Sequence, residues 1–205
     1  MYIIAIAGGS GSGKTSVAKQ LHDALTDSHY RCENLCEDSY YHSLSEEQLS
    51  NVAEYNFDHP DAINHQLLMS DLDRLRQGLA IEAPTYCYKT HQQLPDKVTI
   101  NPADVFILEG LHLLHRENLL PLYDLTIFVD TPTKVRLDRR INRDVKERRR
   151  TLESVLHQFN KTVEPSHEMF IQPSKVNAHT VVDGTKPFTD FMPGIIEMVK
   201  RKLAG

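Results

Sequence analysis

The stretch Gly8-Gly9-Ser10-Gly11-Ser12-Gly13-Lys14-Thr15 decides the fold of this chain. It fits the pattern G-x-x-x-x-G-K-[ST] and lies between an apolar run over residues 2–7 and a helical pattern over residues 14–25. Glycines let the backbone curl so that successive N–H groups face phosphate oxygens, and the start of a helix adds the positive end of its dipole. Lys14 can reach the β- and γ-phosphates of a nucleotide, and the Thr15 hydroxyl can bind Mg²⁺. We favour this interpretation over a flexible Gly/Ser turn and predict a triphosphate-binding set of Gly8, Gly9, Ser10, Gly11, Ser12, Gly13, Lys14, Thr15 and Ser16.

Outward from this loop, strand and helix patterns alternate along the chain. Apolar strand patterns cover 105–108, 125–129 and 180–182, and a weaker one around Leu35 ends near Asp38. Helical patterns run from Pro60 to Gly78 and over 135–143, 152–159 and 188–203, while residues 80–102 predict a β-hairpin excursion. Strands separated by helices predict a P-loop NTPase-type three-layer α/β sandwich with a mainly parallel sheet. We expect one domain over 1–205, with ligands beyond the carboxyl ends of the strands.

Composition excludes several classes of protein. The chain has 205 residues, of which 40% are apolar and 25% charged, and its formal net charge is −5. It is therefore neither a disordered acidic tail nor a membrane protein, and its negative balance argues against nucleic acid as the main partner. Cys32, Cys36 and Cys87 cannot form a disulfide framework and lack a second Cys/His pair at zinc-site spacing. We therefore expect a cytosolic protein with no nucleic-acid or membrane partner.

Two acidic residues follow predicted strands. Glu109 comes directly after the apolar run 105–108, where a carboxylate beside the phosphate loop is placed to hold Mg²⁺. Asp38 ends the weaker strand, and a kinase acting on a hydroxyl needs a carboxylate that can accept its proton. A turn-capping role for Asp38 is about equally compatible with its spacing.

A basic stretch near the C-terminal third has three possible roles. Residues 136–150 contain eight cations in fifteen positions: Arg136, Arg139, Arg140, Arg143, Lys146, Arg148, Arg149 and Arg150. A solvated helix face is the usual explanation, and nucleic-acid binding is weakened by the absence of aromatic residues from the stretch. Because a phosphate loop lies in the same domain, we favour a helical lid over 140–151 whose arginines clamp the triphosphate. A GTPase is disfavoured because the segment 160–163 lacks the aspartate of Asn-Lys-x-Asp, whereas a small-molecule kinase fits the chain length.

Longer segments resemble the uridine kinase (uridine-cytidine kinase) family, from the first strand to about Lys175. The most specific of them is the segment Asn-Phe-Asp-His-Pro-Asp-Ala at 56–62, which a generic phosphate-loop enzyme has no reason to contain. The other matching segments are 8–15, 37–41, 84–86, 90–91, 108–110, 128–131, 139–144 and 173–175. The resemblance implies ATP-dependent phosphorylation of uridine or cytidine at the 5′-hydroxyl, with Mg²⁺, in a homo-oligomer that is often a tetramer.

The resemblance also implies roles for individual residues. Asp38 resembles the general base and lies with Thr15 and Glu109 near Mg²⁺, while Asp58 resembles the carboxylate that holds the ribose hydroxyls. Tyr86 and His91 resemble the residues that recognise the pyrimidine. Further nucleoside contacts are implied for Arg140, Arg150 and Gln158, and triphosphate contacts for the catalytic residues Lys14, Arg143 and Arg148.

The chain departs from the family pattern at three places. Cys87 stands where the family usually has Asp, Gln92 and Gln93 follow the histidine where an Arg is usual, and Arg149 replaces a lid glycine. Two of these changes fall in the hairpin that recognises the nucleoside. Two alternatives therefore stay open: a kinase of a different small alcohol, such as a sugar phosphate or a pantothenate-like molecule, and a non-catalytic ATP-binding regulator.

Overall fold

The computed structural model describes residues 1–203, and the last two positions of the domain predicted over 1–205 lie outside the described residues. Five strands form one sheet: β1 (Tyr2–Ala7), β2 (Cys32–Cys36), β5 (Val105–Gly110), β6 (Leu125–Asp130) and β7 (Thr180–Asp183). Their order across the sheet is β2-β5-β1-β6-β7, and every neighbouring pair is parallel. The predicted α/β sandwich with a mainly parallel sheet is confirmed.

Two apolar cores cover the two faces of this sheet. Successive side chains of a strand point to opposite faces, so Ile3 and Ala5 pack in one core while Ile4 and Ile6 pack in the other. This explains why β1 is apolar at every position rather than at every second one. The helices are α1 (Lys14–Thr26), α2 (Glu46–Ser50), α3 (His65–Arg76), α4 (Thr133–Lys146), α5 (Leu152–Gln158), α6 (Glu164–Ser166) and α7 (Met192–Leu203).

The predicted hairpin is present as a separate two-stranded antiparallel sheet of β3 (Ile81–Cys87) and β4 (Gln92–Ile100). Its register shifts between Ala83 and Thr85. Pro84 lies between them and has no N–H to donate to the partner strand, which accounts for the irregularity at this position.

Two predicted boundaries were wrong. The strand through Leu35 ends at Cys36, and Asp38 lies in a 3₁₀ turn over Glu37–Tyr40. The helix predicted from Pro60 begins only at His65, because Pro60–Ala62 form a 3₁₀ turn and the Asn64 side chain accepts the Leu67 N–H as the helix cap. Of the lid predicted over 140–151, residues up to Lys146 belong to α4, so the connection to α5 is short.

The helical region after this connection is irregular. Helix α5 continues through π-helical turns at Phe159–Val163 and His167–Ile171, which flank α6. Likewise the last predicted helix divides into a 3₁₀ turn at Phe188–Asp190 and α7. Among residues 1–203, no helix combines the length and the apolar composition that crossing a membrane requires.

Candidate active site

The phosphate loop connects β1 to α1 and packs tightly on α4. Gly11 and Gly13 have φ values of 81° and 98°, in the left-handed region that favours glycine. A Cβ atom on Gly11 would lie 2.3 Å from the carbonyl oxygen of Arg136, so the backbones of loop and helix are in direct contact. No side chain caps the start of α1, which leaves its first N–H groups free for an anion. The loop therefore has the conformation that phosphate binding needs.

Three of the predicted metal-binding and catalytic groups lie at the carboxyl end of the sheet beside this loop. The Thr15 hydroxyl donates to Glu109 Oε2 at 3.1 Å, and the Cys36 thiol donates to Glu109 Oε1 at 3.2 Å. Burial and the charge of Glu109 raise the pKa of Asp38 to about 6, while Lys14 acts in the opposite direction. These shifts place Asp38 close to both Glu109 and the phosphate-loop lysine.

This donor set fits Mg²⁺. Two carboxylates and a hydroxyl are hard oxygen ligands, and Mg²⁺ is usually bound by one or two carboxylates together with water and substrate phosphates. A divalent cation would also relieve the repulsion that raises the pKa of Asp38. Residues 1–203 contain no cluster of three or more His, Cys, Asp and Glu side chains arranged to hold a metal by themselves. A cation at this position would therefore depend on the nucleotide phosphates for part of its coordination.

Asp58 is buried, with 4% of its surface exposed. Its N–H donates to Asn56 Oδ1 at 3.0 Å, and its carbonyl accepts the His112 Nε2–H at 3.0 Å. None of the described residues donates a hydrogen bond to its carboxylate. Burial, together with the charges of Asp38 and Asp58, raises the pKa of Tyr41 well above its ordinary value, so both carboxylates lie near this phenol.

Aromatic side chains surround the space near these carboxylates. The His91 ring stacks on Phe57 with a centroid distance of 4.8 Å, and Tyr41 lies 5.2 Å from Tyr86. The Tyr86 hydroxyl and His91 Nδ1 are buried without a hydrogen-bond partner in the described part of the chain. This aromatic cluster of Tyr41, Phe57, Tyr86 and His91 thus contains flat ring surfaces and two buried polar atoms without partners. Sequence reasoning assigned no role to Phe57 or Tyr41, although Phe57 directly precedes Asp58 in the most specific segment.

A buried network connects the segments that carry the two carboxylates. Glu37 is 1% exposed, accepts the His112 N–H at 2.9 Å and contacts His65 Nε2 at 2.9 Å. Burial by itself would raise the pKa of Glu37, but its hydrogen bonds to His65 and His112 hold it below the ordinary value. Because His112 also donates to the Asp58 carbonyl, Glu37 links the turn of Asp38 to the segment of Asp58. The sequence analysis did not identify this network.

The predicted nucleoside-contacting residues of the basic stretch lie together. Arg140 donates to Gln158 Oε1 at 2.9 Å, and Arg150 donates to the same oxygen at 2.5 Å. Arg140 also donates to the Ser10 hydroxyl at 2.7 Å, so this group touches the phosphate loop itself.

Asp144 is the centre of the basic stretch, and sequence reasoning missed it. Its side chain is fully buried, and the guanidinium groups of four arginines surround it. The closest nitrogen–oxygen distances are 2.8 Å for Arg143, 3.5 Å for Arg140, 3.6 Å for Arg150 and 3.8 Å for Arg148. Arg149 has a φ of 55°, in the left-handed region where the family pattern has glycine. This turn brings the Arg150 N–H to the Asp144 carbonyl at 3.0 Å.

Tyr88 contacts both Asp38 and Arg148. The Arg148 guanidinium carbon lies 4.9 Å from the centre of the Tyr88 ring, and the Tyr88 hydroxyl donates to Asp38 Oδ2 at 3.1 Å. Tyr88 was not among the predicted site residues. The structure therefore brings the predicted residues into one region, to which it adds Phe57, Tyr88 and Asp144.

Comparisons with known proteins show which family the chain belongs to. The family profile described as "Phosphoribulokinase / Uridine kinase family" matches residues 3–187. The chain is 42% identical to "Uridine kinase" of Halalkalibacterium halodurans, covering 88% of this chain and 84% of that protein. It is 44% identical to "Uridine kinase-like protein 5" of Arabidopsis thaliana, but it spans only 38% of the length of that relative.

A solved structure shows the same fold. The "Possible Uridine Kinase from Bacillus stearothermophilus" superposes with a TM-score of 0.67 at 18% identity, covering 89% of this chain and 88% of that one. The profile match over residues 3–187 and the 42% identity to a uridine kinase show that this chain belongs to the phosphoribulokinase / uridine kinase family.

Proposed function

We propose that this chain transfers the γ-phosphoryl group of ATP to the 5′-hydroxyl of uridine or cytidine, giving UMP or CMP and ADP. The observation that carries the proposal is the position of Asp38. It lies near Lys14 and Glu109 on the phosphate side, and it shares Tyr41 with the buried carboxylate of Asp58 on the pocket side. A base between a triphosphate site and a group of aromatic side chains suits transfer to an alcohol held beside those side chains.

On the phosphate side, positioning and charge do most of the work. The N–H groups of the loop and Lys14 hold the phosphates, and Arg143 and Arg148 close over them to stabilise the charge of the transition state. Mg²⁺, held by Thr15, Asp38 and Glu109, would neutralise charge on the β- and γ-phosphates.

On the pocket side, Asp58 is proposed to bind the two vicinal ribose hydroxyls. Its buried carboxylate has no donor among residues 1–203, so both oxygens are free to accept charge-assisted hydrogen bonds. The pyrimidine would lie against Phe57 and His91, where the free Tyr86 hydroxyl and His91 Nδ1 supply polar contacts. Arg140, Arg150 and Gln158 are proposed to complete the contact with the nucleoside.

A different alcohol is the second candidate, because the hairpin departs from the family pattern. Gln92 Nε2 donates to the Leu44 carbonyl at 2.8 Å, and Gln93 Nε2 donates to the Tyr41 carbonyl at 3.0 Å. Both glutamines are therefore occupied with backbone atoms and leave the recognition of the substrate to other residues. An acceptor smaller than a nucleoside would need fewer contacts from this hairpin.

The test is ADP release from ATP with a panel of acceptors: uridine, cytidine, deoxyuridine, a sugar phosphate and pantothenate. We expect uridine or cytidine to give the highest kcat/KM and deoxyuridine to lose affinity, because it lacks one of the hydroxyls assigned to Asp58. Tight ATP binding without acceptor-dependent ADP release would instead favour a regulator. A preference for a non-nucleoside alcohol would favour the second candidate.

Two variants test the roles of individual residues. Asp38→Asn should abolish turnover and leave ATP binding largely intact, whereas Asp96→Asn on the exposed part of the hairpin should leave both unchanged. A near-normal rate for Asp38→Asn would remove Asp38 from the mechanism. Cys87→Asp restores the usual family residue, so nucleoside affinity should stay the same or improve, and a large loss would indicate a pocket built for another molecule.

The cellular setting is also part of the proposal. We expect reaction in the cytosol, since Cys32, Cys36 and Cys87 are all free thiols. A homotetramer is the expectation from the family resemblance, and sedimentation at several protein concentrations would measure it.

A further inference from the structure

Tyr88 is held at the tip of the hairpin, close to Asp38. The chain between the two strands turns sharply, with the His91 N–H donating to the Cys87 carbonyl at 2.8 Å and with a His91 φ of 54°. Contacts to residues 41–44 hold this tip in place: the Leu44 N–H donates to the His91 carbonyl at 3.1 Å, and the Gln93 N–H donates to Ser43 Oγ at 2.9 Å. The position of Tyr88 is therefore fixed relative to the segment that follows Asp38.

The Tyr88 hydroxyl makes the contact that an acceptor alcohol would make. It donates to Asp38 Oδ2 at 3.1 Å, and a hydroxyl acceptor would have to donate its proton to this same carboxylate. While Tyr88 is in place, its hydroxyl takes one acceptor position on Oδ2, and a water or substrate hydroxyl that bonds there has to replace it. This matters for water as well as for nucleosides, because any hydroxyl activated by Asp38 could attack a bound triphosphate.

Displacing Tyr88 breaks more than one contact. Its ring lies under the Arg148 guanidinium at 4.9 Å, and the Tyr86 ring meets it edge-on at a centroid distance of 5.6 Å. A nucleoside that binds Asp58 and the aromatic pocket has binding energy to replace these contacts, and its hydroxyl takes over the hydrogen bond to Asp38. Water makes no such additional contacts, so its binding cannot compensate for the lost contacts of Tyr88.

We propose that Tyr88 determines acceptor specificity by keeping water from Asp38 until a nucleoside displaces it. The inference rests on the proposed function. The reaction that Tyr88 suppresses is hydrolysis: a water oxygen forms a bond to the γ-phosphorus, the bond from that phosphorus to the ADP oxygen breaks, and a water proton passes to Asp38. The products are ADP and inorganic phosphate in place of ADP and a nucleoside monophosphate.

The first test is Tyr88→Phe, which keeps the ring and removes the hydroxyl. We expect its ADP release without nucleoside to rise about tenfold or more over the unsubstituted protein, equivalent to about 1.4 kcal/mol of barrier. The yield of nucleoside monophosphate per ADP should fall below one. Tyr30→Phe is the matched control, since Tyr30 is partly buried against the core that contains Ile4 and Ile6 and should change neither quantity.

A double variant and an unreactive nucleoside complete the design. Asp38→Asn combined with Tyr88→Phe should return hydrolysis to background, because the exposed carboxylate is the proposed base. In the unsubstituted protein, 5′-deoxyuridine should bind, displace Tyr88 and stimulate ATP hydrolysis, since it has no 5′-hydroxyl to offer Asp38.

Each arm has a result that overturns the inference. The inference is wrong if folded, ATP-binding Tyr88→Phe releases no more ADP than the unsubstituted protein, or if the double variant remains as active as Tyr88→Phe. It is also wrong if 5′-deoxyuridine binds without stimulating hydrolysis. Failure of 5′-deoxyuridine and uridine to bind in calorimetry would instead count against the proposed function, while the comparison of Tyr88→Phe with the unsubstituted protein would still test Tyr88.

Discussion

Replacing Asp144 with asparagine removes one buried negative charge and keeps the shape of the side chain. The fully buried carboxylate lies between four guanidinium groups, with its closest contact at 2.8 Å. Removing one partner of a buried ion pair costs about 3–5 kcal/mol, since the remaining charge is left uncompensated. Here Arg140 is itself buried and faces three other cations, so we expect a loss of about 4 kcal/mol. At ~3 °C per kcal/mol for a chain of this length, the thermal midpoint should fall by about 12 °C.

Thermal unfolding with and without ATP measures this effect. The exposed Asp138 on the same helix provides the control, and Asp138→Asn should shift the midpoint by no more than about 2 °C. Under the proposed role of Arg143 and Arg148, a triphosphate would supply negative charge to two of these arginines, so saturating ATP should raise the midpoint of Asp144→Asn by more than that of the unsubstituted protein. If Asp144→Asn unfolds within about 2 °C of the unsubstituted protein, the four arginines do not depend on this carboxylate.

Three further predictions concern the loop, the pocket and pH. Gly11→Ala should abolish ATP binding measured by calorimetry, because its Cβ would meet the Arg136 carbonyl oxygen at 2.3 Å at a φ of 81°. Asp58→Asn should lower kcat/KM for uridine roughly 30-fold, or about 2 kcal/mol, and a smaller loss for uridine than for deoxyuridine would contradict the role proposed for this carboxylate. Burial lowers the pKa of His112 to about 4 despite the nearby charge of Glu37, so the folded protein holds the ring neutral while the unfolded chain protonates near pH 6.5. Stability should therefore be complete above pH 6.5 and fall by up to about 3 kcal/mol as the pH drops to 4, and denaturant titrations of His112→Gln should show a flatter dependence.

Local sequence patterns were sufficient to predict most of the elements of the fold. The apolar run of β1, the glycines after it and the alternation in the hairpin each specify an element from a few neighbouring residues, and these elements are present. The errors fell where a turn interrupts a pattern. Proline followed by aspartate, as at Pro60 and Asp61, is typical of a helix start, but here these residues form only a 3₁₀ turn. The helix begins at His65, because the Asn64 side chain caps it there.

Residues that act through distant partners could not be predicted in the same way. The cations of the basic stretch are evident in the sequence. The central position of Asp144 is not, because it depends on the turn at Arg149, which brings Arg150 back to Asp144. Tyr88 and Asp38 are fifty residues apart, and nothing in the sequence between them indicates their hydrogen bond. The family resemblance was enough to predict the carboxylates Asp38, Asp58 and Glu109. The contacts that hold them in place could be identified only from the three-dimensional structure.

The buried Glu37 acts as a brace between two segments that are otherwise far apart along the chain. One of its oxygens holds the segment of His112, whose ring in turn holds the backbone of Asp58, and the residue after Glu37 is Asp38. Under the proposed roles, Glu37 therefore fixes the distance between Asp38, which activates the alcohol, and Asp58, which binds the sugar hydroxyls. The enzyme would thus select substrates by length: the distance between the reactive hydroxyl and the diol has to match the distance between the carboxylates of Asp38 and Asp58.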